Sequence, residues 1–248
     1  MARGEEEIVM TGGGPLGASF DPDRIAALRP PPGGGPVPGG SGSGGFTTTR
    51  RTWSRAGIVT VAFLMVLYLI EFVDAVIDSS MDRTLGIEPR EVDGLDGIAF
   101  APLLHHGWDH LIGNSLPVLI LGFLTLATGI RRGLAATAIV WLVAGVGTWL
   151  TGGEGTVHVG ASSLVFGWLT YLICRGWFAR QLGQIVLGLV VLVLYGSLLW
   201  GVLPGQDGIS WQGHLFGAMG GLFAGWVLSS DERRHRRQLH TGPLAQPR

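Results

Sequence analysis

Gly160-Ala161-Ser162-Ser163 opens one apolar segment of this chain, and Gly213-His214 stands near the start of another. A hydroxyl and an imidazole are thus expected a few residues inside two different stretches otherwise suited to lipid. Polar and ionisable groups within a bilayer cost free energy, so they stand there for packing or for chemistry. A serine by itself is a common small packing residue of membrane helices. A serine and a histidine at one depth on separate segments make a candidate nucleophile and base.

The composition around these stretches is that of a membrane protein. Of 248 residues, 47% are hydrophobic and 14% charged, and the mean hydropathy is +0.39. A hydrocarbon core of about 30 Å takes about 20 apolar residues of helix. Six runs approach that length: 56–77, 108–129, 133–150, 160–174, 181–200 and 209–228. Residues 1–50 carry Glu5-Glu6-Glu7, Pro30-Pro31-Pro32-Gly33-Gly34-Gly35 and Ser41-Gly42-Ser43-Gly44-Gly45. Such Gly/Pro/Ser runs read as a disordered arm, and residues 231–248 as a short basic tail. The acidic start has no hydrophobic core of a signal peptide, so targeting is expected to fall to the first span. Gly12-Gly13-Gly14-Pro15 follows no strand and reads as linker, not as a phosphate loop. A net charge of -1 argues against a nucleic-acid partner. Cys174 stands alone, so no intramolecular disulfide framework is implied.

The arginines orient the spans. Arg50, Arg51 and Arg55 precede the first, Arg131 and Arg132 follow the second, Arg175 and Arg180 separate the fourth and fifth, and Arg233, Arg234, Arg236 and Arg237 follow the sixth. The positive-inside rule makes these ends cytoplasmic, and with them both termini. The opposite loops hold Asp78, Asp82, Glu88, Asp93, Asp96, Glu154 and Asp207, with only Arg83 and Arg90 as basic residues.

Depth follows at about 1.5 Å per helical residue. Ser162 lies roughly 20 Å above Arg175, Asn114 roughly 25 Å above Arg131 and His214 roughly 28 Å above Arg233. His110 lies one turn above Asn114 on the same face. Three spans therefore bring Ser, His, His and Asn to one level in the outer half of the bilayer. Gly213, Gly217, Gly221 and Gly225 form a ridge four residues apart along the last span. Such ridges let helices approach closely, and Gly160, Ser163 and Gly167 offer the matching small face on the fourth.

His110-Leu111-Ile112-Gly113-Asn114, Gly160-Ala161-Ser162 with Gly167, and Gly213-His214-Leu215-Phe216-Gly217 occur in order on the second, fourth and sixth spans. With Leu104-His105-His106-Gly107-Trp108 upstream, residues 53–230 resemble the rhomboid intramembrane serine proteases. The resemblance implies an all-α, six-transmembrane-helix bundle over residues 51–230, in a bacterial plasma membrane with its site towards the extracytoplasmic side. It implies a Ser162–His214 dyad that cuts peptide bonds in or near the membrane segments of other proteins. His110 and Asn114 would stabilise the oxyanion, Phe166 would pack on the histidine ring, and Gly160 and Gly217 would support the site. No metal or organic cofactor is implied; the partners are transmembrane substrates and the lipid bilayer. The chain departs from the common family pattern at Ser163 and Phe216, where glycine is frequent. Its first external loop also lacks the family's Trp-Arg pair.

Other readings remain beside this one. A non-catalytic, rhomboid-like protein would bind membrane clients without cutting them. A channel or transporter would use the same polar residues as a pathway, but no inverted repeat is visible. His158, four residues before Ser162, competes for the role of base, although a place in the loop is expected for it. His105 and His106 read as loop or structural residues, and Glu71 and Asp74 as interfacial ones.

Overall fold

The structure, a computed structural model, describes residues 43–77, 80–206 and 208–230. The arm to residue 42 and the tail from 231 lie outside the described residues. The chain divides into two units, 1–44 and 45–248, and the site belongs to the second. Among the described residues there is no strand, only an isolated bridge between Ile87 and His158. The long helices are α1 (Ser43–Val76), α2 (Trp108–Ala127), α3 (Ile130–Thr151), α4 (Ser162–Ala179), α5 (Leu182–Tyr195) and α6 (Trp211–Leu228). A 3-10 segment, Gly196–Val202, prolongs α5.

Four of these meet both length and composition for crossing a membrane: α1 from Thr49, α2, α3, and α5 with its extension. The sequence counts six. The other two, α4 and α6, have 18 residues each and are diluted by Ser162, Ser163 and Arg175, or by Gln212, His214 and glycine. Their position explains the difference. A lipid-facing helix needs an apolar surface all along, as α5 has, with Val193 84% exposed. A helix packed against neighbours can carry small and polar groups instead. Along α4, Leu164, Leu169, Tyr171 and Leu172 are fully buried, in one cluster with Leu67 of α1, Leu111, Val118 and Leu121 of α2, Val140 of α3 and Val191 of α5.

Several boundaries move. Residues 43–50, assigned above to the arm, are helical in α1. Residues 160 and 161 precede α4, and Ser162 is its first residue instead of lying inside it. Arg175 is no loop residue: it is buried in α4, its guanidinium 5.5 Å from the Tyr171 ring centroid. The helix runs on to a left-handed cap at Arg180, φ 53°. Within α2, Pro117 has no N–H to give to the preceding turn, and the next five residues, Val118–Gly122, are π-helical.

The glycine ridge of α6 rides on α4. A methyl group on Gly217 would run into the Ser163 carbonyl, and one on Gly221 into the Gly167 carbonyl. The Thr170 hydroxyl donates across this contact to the Ala218 carbonyl at 2.8 Å. Gly213 instead faces Ser210 and Thr148.

The loop between α1 and α2 is fastened to the segment before Ser162. Ile87 and His158 exchange two backbone hydrogen bonds of 3.0 Å, over a small core of Ile87, Ala101, Leu104 and Val159. The Arg90 guanidinium donates to the Leu150 and Gly152 carbonyls at 3.3 and 2.9 Å, satisfying groups that the end of α3 leaves free. Trp149 returns the tie, its indole N–H donating to the Glu91 carbonyl at 2.9 Å.

Candidate active site

Gly160 turns the chain into α4 with φ at +119°. Its N–H donates to the Ala101 carbonyl at 2.8 Å, and the Ala161 N–H to His105 Nε2 at 3.4 Å. Ser162 thus begins its helix on a turn held from the α1–α2 loop. At α6, Ser210 is the N-cap: its hydroxyl oxygen accepts from the Gly213 N–H at 3.3 Å. Its carbonyl accepts from the His214 N–H at 3.1 Å. His214 consequently projects from the first turn.

His214 Nε2 and Ser162 Oγ are 2.8 Å apart. On the other side of the ring, Nδ1 lies 3.0 Å from the Gly201 carbonyl. A carbonyl oxygen only accepts, so the proton sits on Nδ1, and Nε2 is the acceptor for the serine hydroxyl. Phe166, one turn beyond Ser162, stacks on the imidazole with centroids 4.0 Å apart and planes at 10°. His214 is buried and Ser162 half-buried.

His110 stands against the same turn. A methyl on Gly160 would meet His110 Nε2 at 3.0 Å and Ser162 Oγ at 3.6 Å. His110 Nδ1 accepts from the His106 N–H at 3.4 Å, which leaves Nε2–H as a donor on the serine side. Asn114 is buried one turn on, its amide donating to the His110 carbonyl at 3.2 Å. Ser162, His214, His110, Asn114, Phe166 and Gly201 all line a cavity of about 620 Å³. Gly217 lies outside it, beneath Ser163.

The other described histidines have partners other than Ser162. His106 pairs with Asp82 at 2.7 Å. Burial first, then the neighbouring His110 and His106, pushes His105 down to about 3, so at neutral pH it is an acceptor for the Ala161 N–H. His158 contacts the Thr156 and Ser210 hydroxyls, not Ser162. Among the described residues, no group of three His, Cys, Asp or Glu side chains is arranged to hold a metal ion. Sequence reasoning missed Gly201 and Ser210. A backbone carbonyl leaves no mark in a sequence, and a serine before Trp211 is one cap residue among many.

The family pattern described as the Rhomboid domain matches residues 94–231, more than half of the chain. An uncharacterized protein of Mycobacterium tuberculosis is 47% identical over 204 residues, 79% of this chain and 85% of that protein. An uncharacterized protein of Mycobacterium leprae is 42% identical over 204 residues, 79% of this chain and 80% of that one. A Bacillus subtilis protein named "Putative rhomboid protease YdcA" is 29% identical over 136 residues, 54% of this chain and 67% of its own length.

Proposed function

Because the chain belongs to the rhomboid family and is an integral membrane protein, we propose that it is an intramembrane serine protease cleaving peptide bonds in or near transmembrane segments of other proteins. Ser162 attacks the scissile carbonyl while His214 Nε2 takes its proton, later returning it to the leaving amine. The Gly201 carbonyl keeps the other ring proton on Nδ1 and so keeps the base in its accepting tautomer. The oxyanion forms between His110, Asn114 and the first N–H groups of α4, which have no intrahelical acceptor. The chain crosses the bacterial plasma membrane six times with both termini cytoplasmic, and the site opens towards the extracytoplasmic side. The arm and the basic tail lie in the cytoplasm.

One observation carries this reading: the 2.8 Å contact between Ser162 Oγ and His214 Nε2, on a ring oriented from behind and stacked on Phe166. A client-binding protein without chemistry has no need of an oriented base. The test is cleavage of a transmembrane substrate panel by the reconstituted full chain, together with labelling by a serine-directed fluorophosphonate. Ser162→Ala and His214→Ala are each expected to abolish cleavage with insertion and abundance intact, since the two act as a unit. Cleavage by Ser162→Ala at the wild-type rate would overturn the mechanism.

A further inference from the structure

The two side chains of the pair sit on separate helices, and a single imidazole joins the segments leading into both. We propose that His158 is a positioning residue, a clasp between the loop before α4 and the N-cap of α6 that sets the separation of Ser162 and His214. The proposal rests on the reading of those two residues as a catalytic dyad.

The hydrogen bonds run in one consistent direction. The Thr156 hydroxyl donates to the Gly153 carbonyl at 2.6 Å, so its oxygen is left to accept from His158 Nε2–H at 2.9 Å. Nδ1 is then the acceptor for the Ser210 hydroxyl at 2.7 Å. The Ser210 oxygen in turn accepts from the Gly213 N–H at 3.3 Å. Every hydroxyl in this chain donates once and accepts once, which suits a neutral ring. Burial, and after it the charge on His106, pushes the His158 pKa down and favours that form.

The register makes the clasp relevant to the dyad. His158 precedes Ser162 by four residues, and Ser210 precedes His214 by four. The backbone of His158 is pinned to Ile87 on both sides, and the Ser210 carbonyl holds the His214 N–H. Among the described residues, no other side-chain hydrogen bond joins the two approaches once the His158–Ser210 bond is cut. With both nitrogens engaged and Ser162 not among its partners, His158 is no rival base.

The experiment compares wild type with His158→Ala, Ser210→Ala, the double variant and His158→Asn, as full chains in liposomes with a transmembrane peptide substrate. A misplacement of about 1 Å costs up to about 10²-fold. His158→Ala and Ser210→Ala are therefore each expected to lower kcat by about 10- to 100-fold with KM within about two-fold. The double variant is expected to be no worse than either single one, because one bond is being removed twice. His158→Asn, whose amide offers an acceptor and a donor, is expected to recover most of the loss. Hydrogen exchange reads the clasp without reference to catalysis: residues 156–162 and 210–214 lose protection together in His158→Ala. Unchanged kcat, a rise confined to KM, multiplying losses, or unchanged exchange in both segments would overturn the clasp. If His158→Ala does not fold, Ser210→Ala and Thr156→Val carry the same comparison. If wild type cleaves no better than Ser162→Ala, it is the protease reading that fails, and the exchange data still decide on the clasp.

Discussion

At Gly160 two demands meet on one residue. Its φ of +119° is a region that L side chains rarely adopt, and a methyl there would lie 2.8 Å from the His110 ring. Gly160→Ala therefore strains the turn by about 1–3 kcal/mol and pushes His110 away from Ser162. It is expected to cut fluorophosphonate labelling by about 5- to 150-fold if that strain is felt in the reacting geometry; undiminished labelling would show that the turn does not position the serine. His110→Ala and Asn114→Ala test the proposed oxyanion site more directly: if either residue is a main donor, its loss is expected to cost about 10²-fold or more in turnover. A double variant with wild-type turnover would remove α2 from the site. His105 supplies a pH test. Its pKa falls from 6.5 free to about 3 folded, so the unfolded chain binds the extra proton first. The stability it contributes is full above about pH 6.5 and is lost as pH falls towards 3. His105→Gln keeps an acceptor for the Ala161 N–H but does not titrate, and its melting temperature should fall less steeply than wild type over that range. What was legible here followed from chemistry carried by side chains. Ser162, His214, His110 and Asn114 can be picked out together because few reasons place such polar groups at one level of apolar helices, whereas Phe166 was implied only by the family resemblance. The Gly201 carbonyl could not be, and His158 gave the same signal as a base until its two partners were seen.

Between elements, the glycine period announced a contact between α4 and α6, and the helices do meet there. It could not grade the ridge, because spacing is uniform while distance is not. Gly217 and Gly221 lie against carbonyls of α4, whereas a methyl on Gly225 finds only ordinary contact at 3.6 Å and one on Gly57 of α1 finds nothing within 4 Å. Gly217→Ala and Gly221→Ala are expected to destabilise the protein by about 1–3 kcal/mol each, the usual cost of overpacking, read as a lower melting temperature in detergent. Gly225→Ala and Gly57→Ala should leave it nearly unchanged. Equal losses at all four positions would mean that helix flexibility, and not the α4–α6 approach, is what glycine provides. Ser163 belongs to the same contact through its carbonyl, so Ser163→Gly should keep activity. Helix ends were less legible for a related reason. Hydropathy breaks off at Arg175, but α4 continues because tertiary packing buries that side chain over Tyr171.

Across the whole membrane unit, α4 is a ruler. Ser162 opens it and Arg180 caps it, so its 18 residues at about 1.5 Å each separate the serine from that arginine by about 27 Å, close to a hydrocarbon core of about 30 Å. Arg131 and Arg132 stand at the start of α3, whose far end is tied to the α1–α2 loop by Arg90. His214 likewise starts α6, and the arginines of the tail follow its other end. Arg131, Arg132 and Arg180 thus stand at helix ends remote from Ser162, the ends that the proposed orientation makes cytoplasmic. Cys174 is the only native thiol, so after Cys174→Ser single cysteines can report the side directly. Glu154→Cys is expected to react with a membrane-impermeant maleimide in intact cells, and Arg132→Cys only after lysis. Reporter fusions after residues 131 and 233 should agree by reading as cytoplasmic. The reverse pattern would turn the cavity of His110, Ser162 and His214 towards the cytoplasm. Substrates would then have to present the cytoplasmic ends of their membrane segments, and the orientation drawn from the arginines would fall.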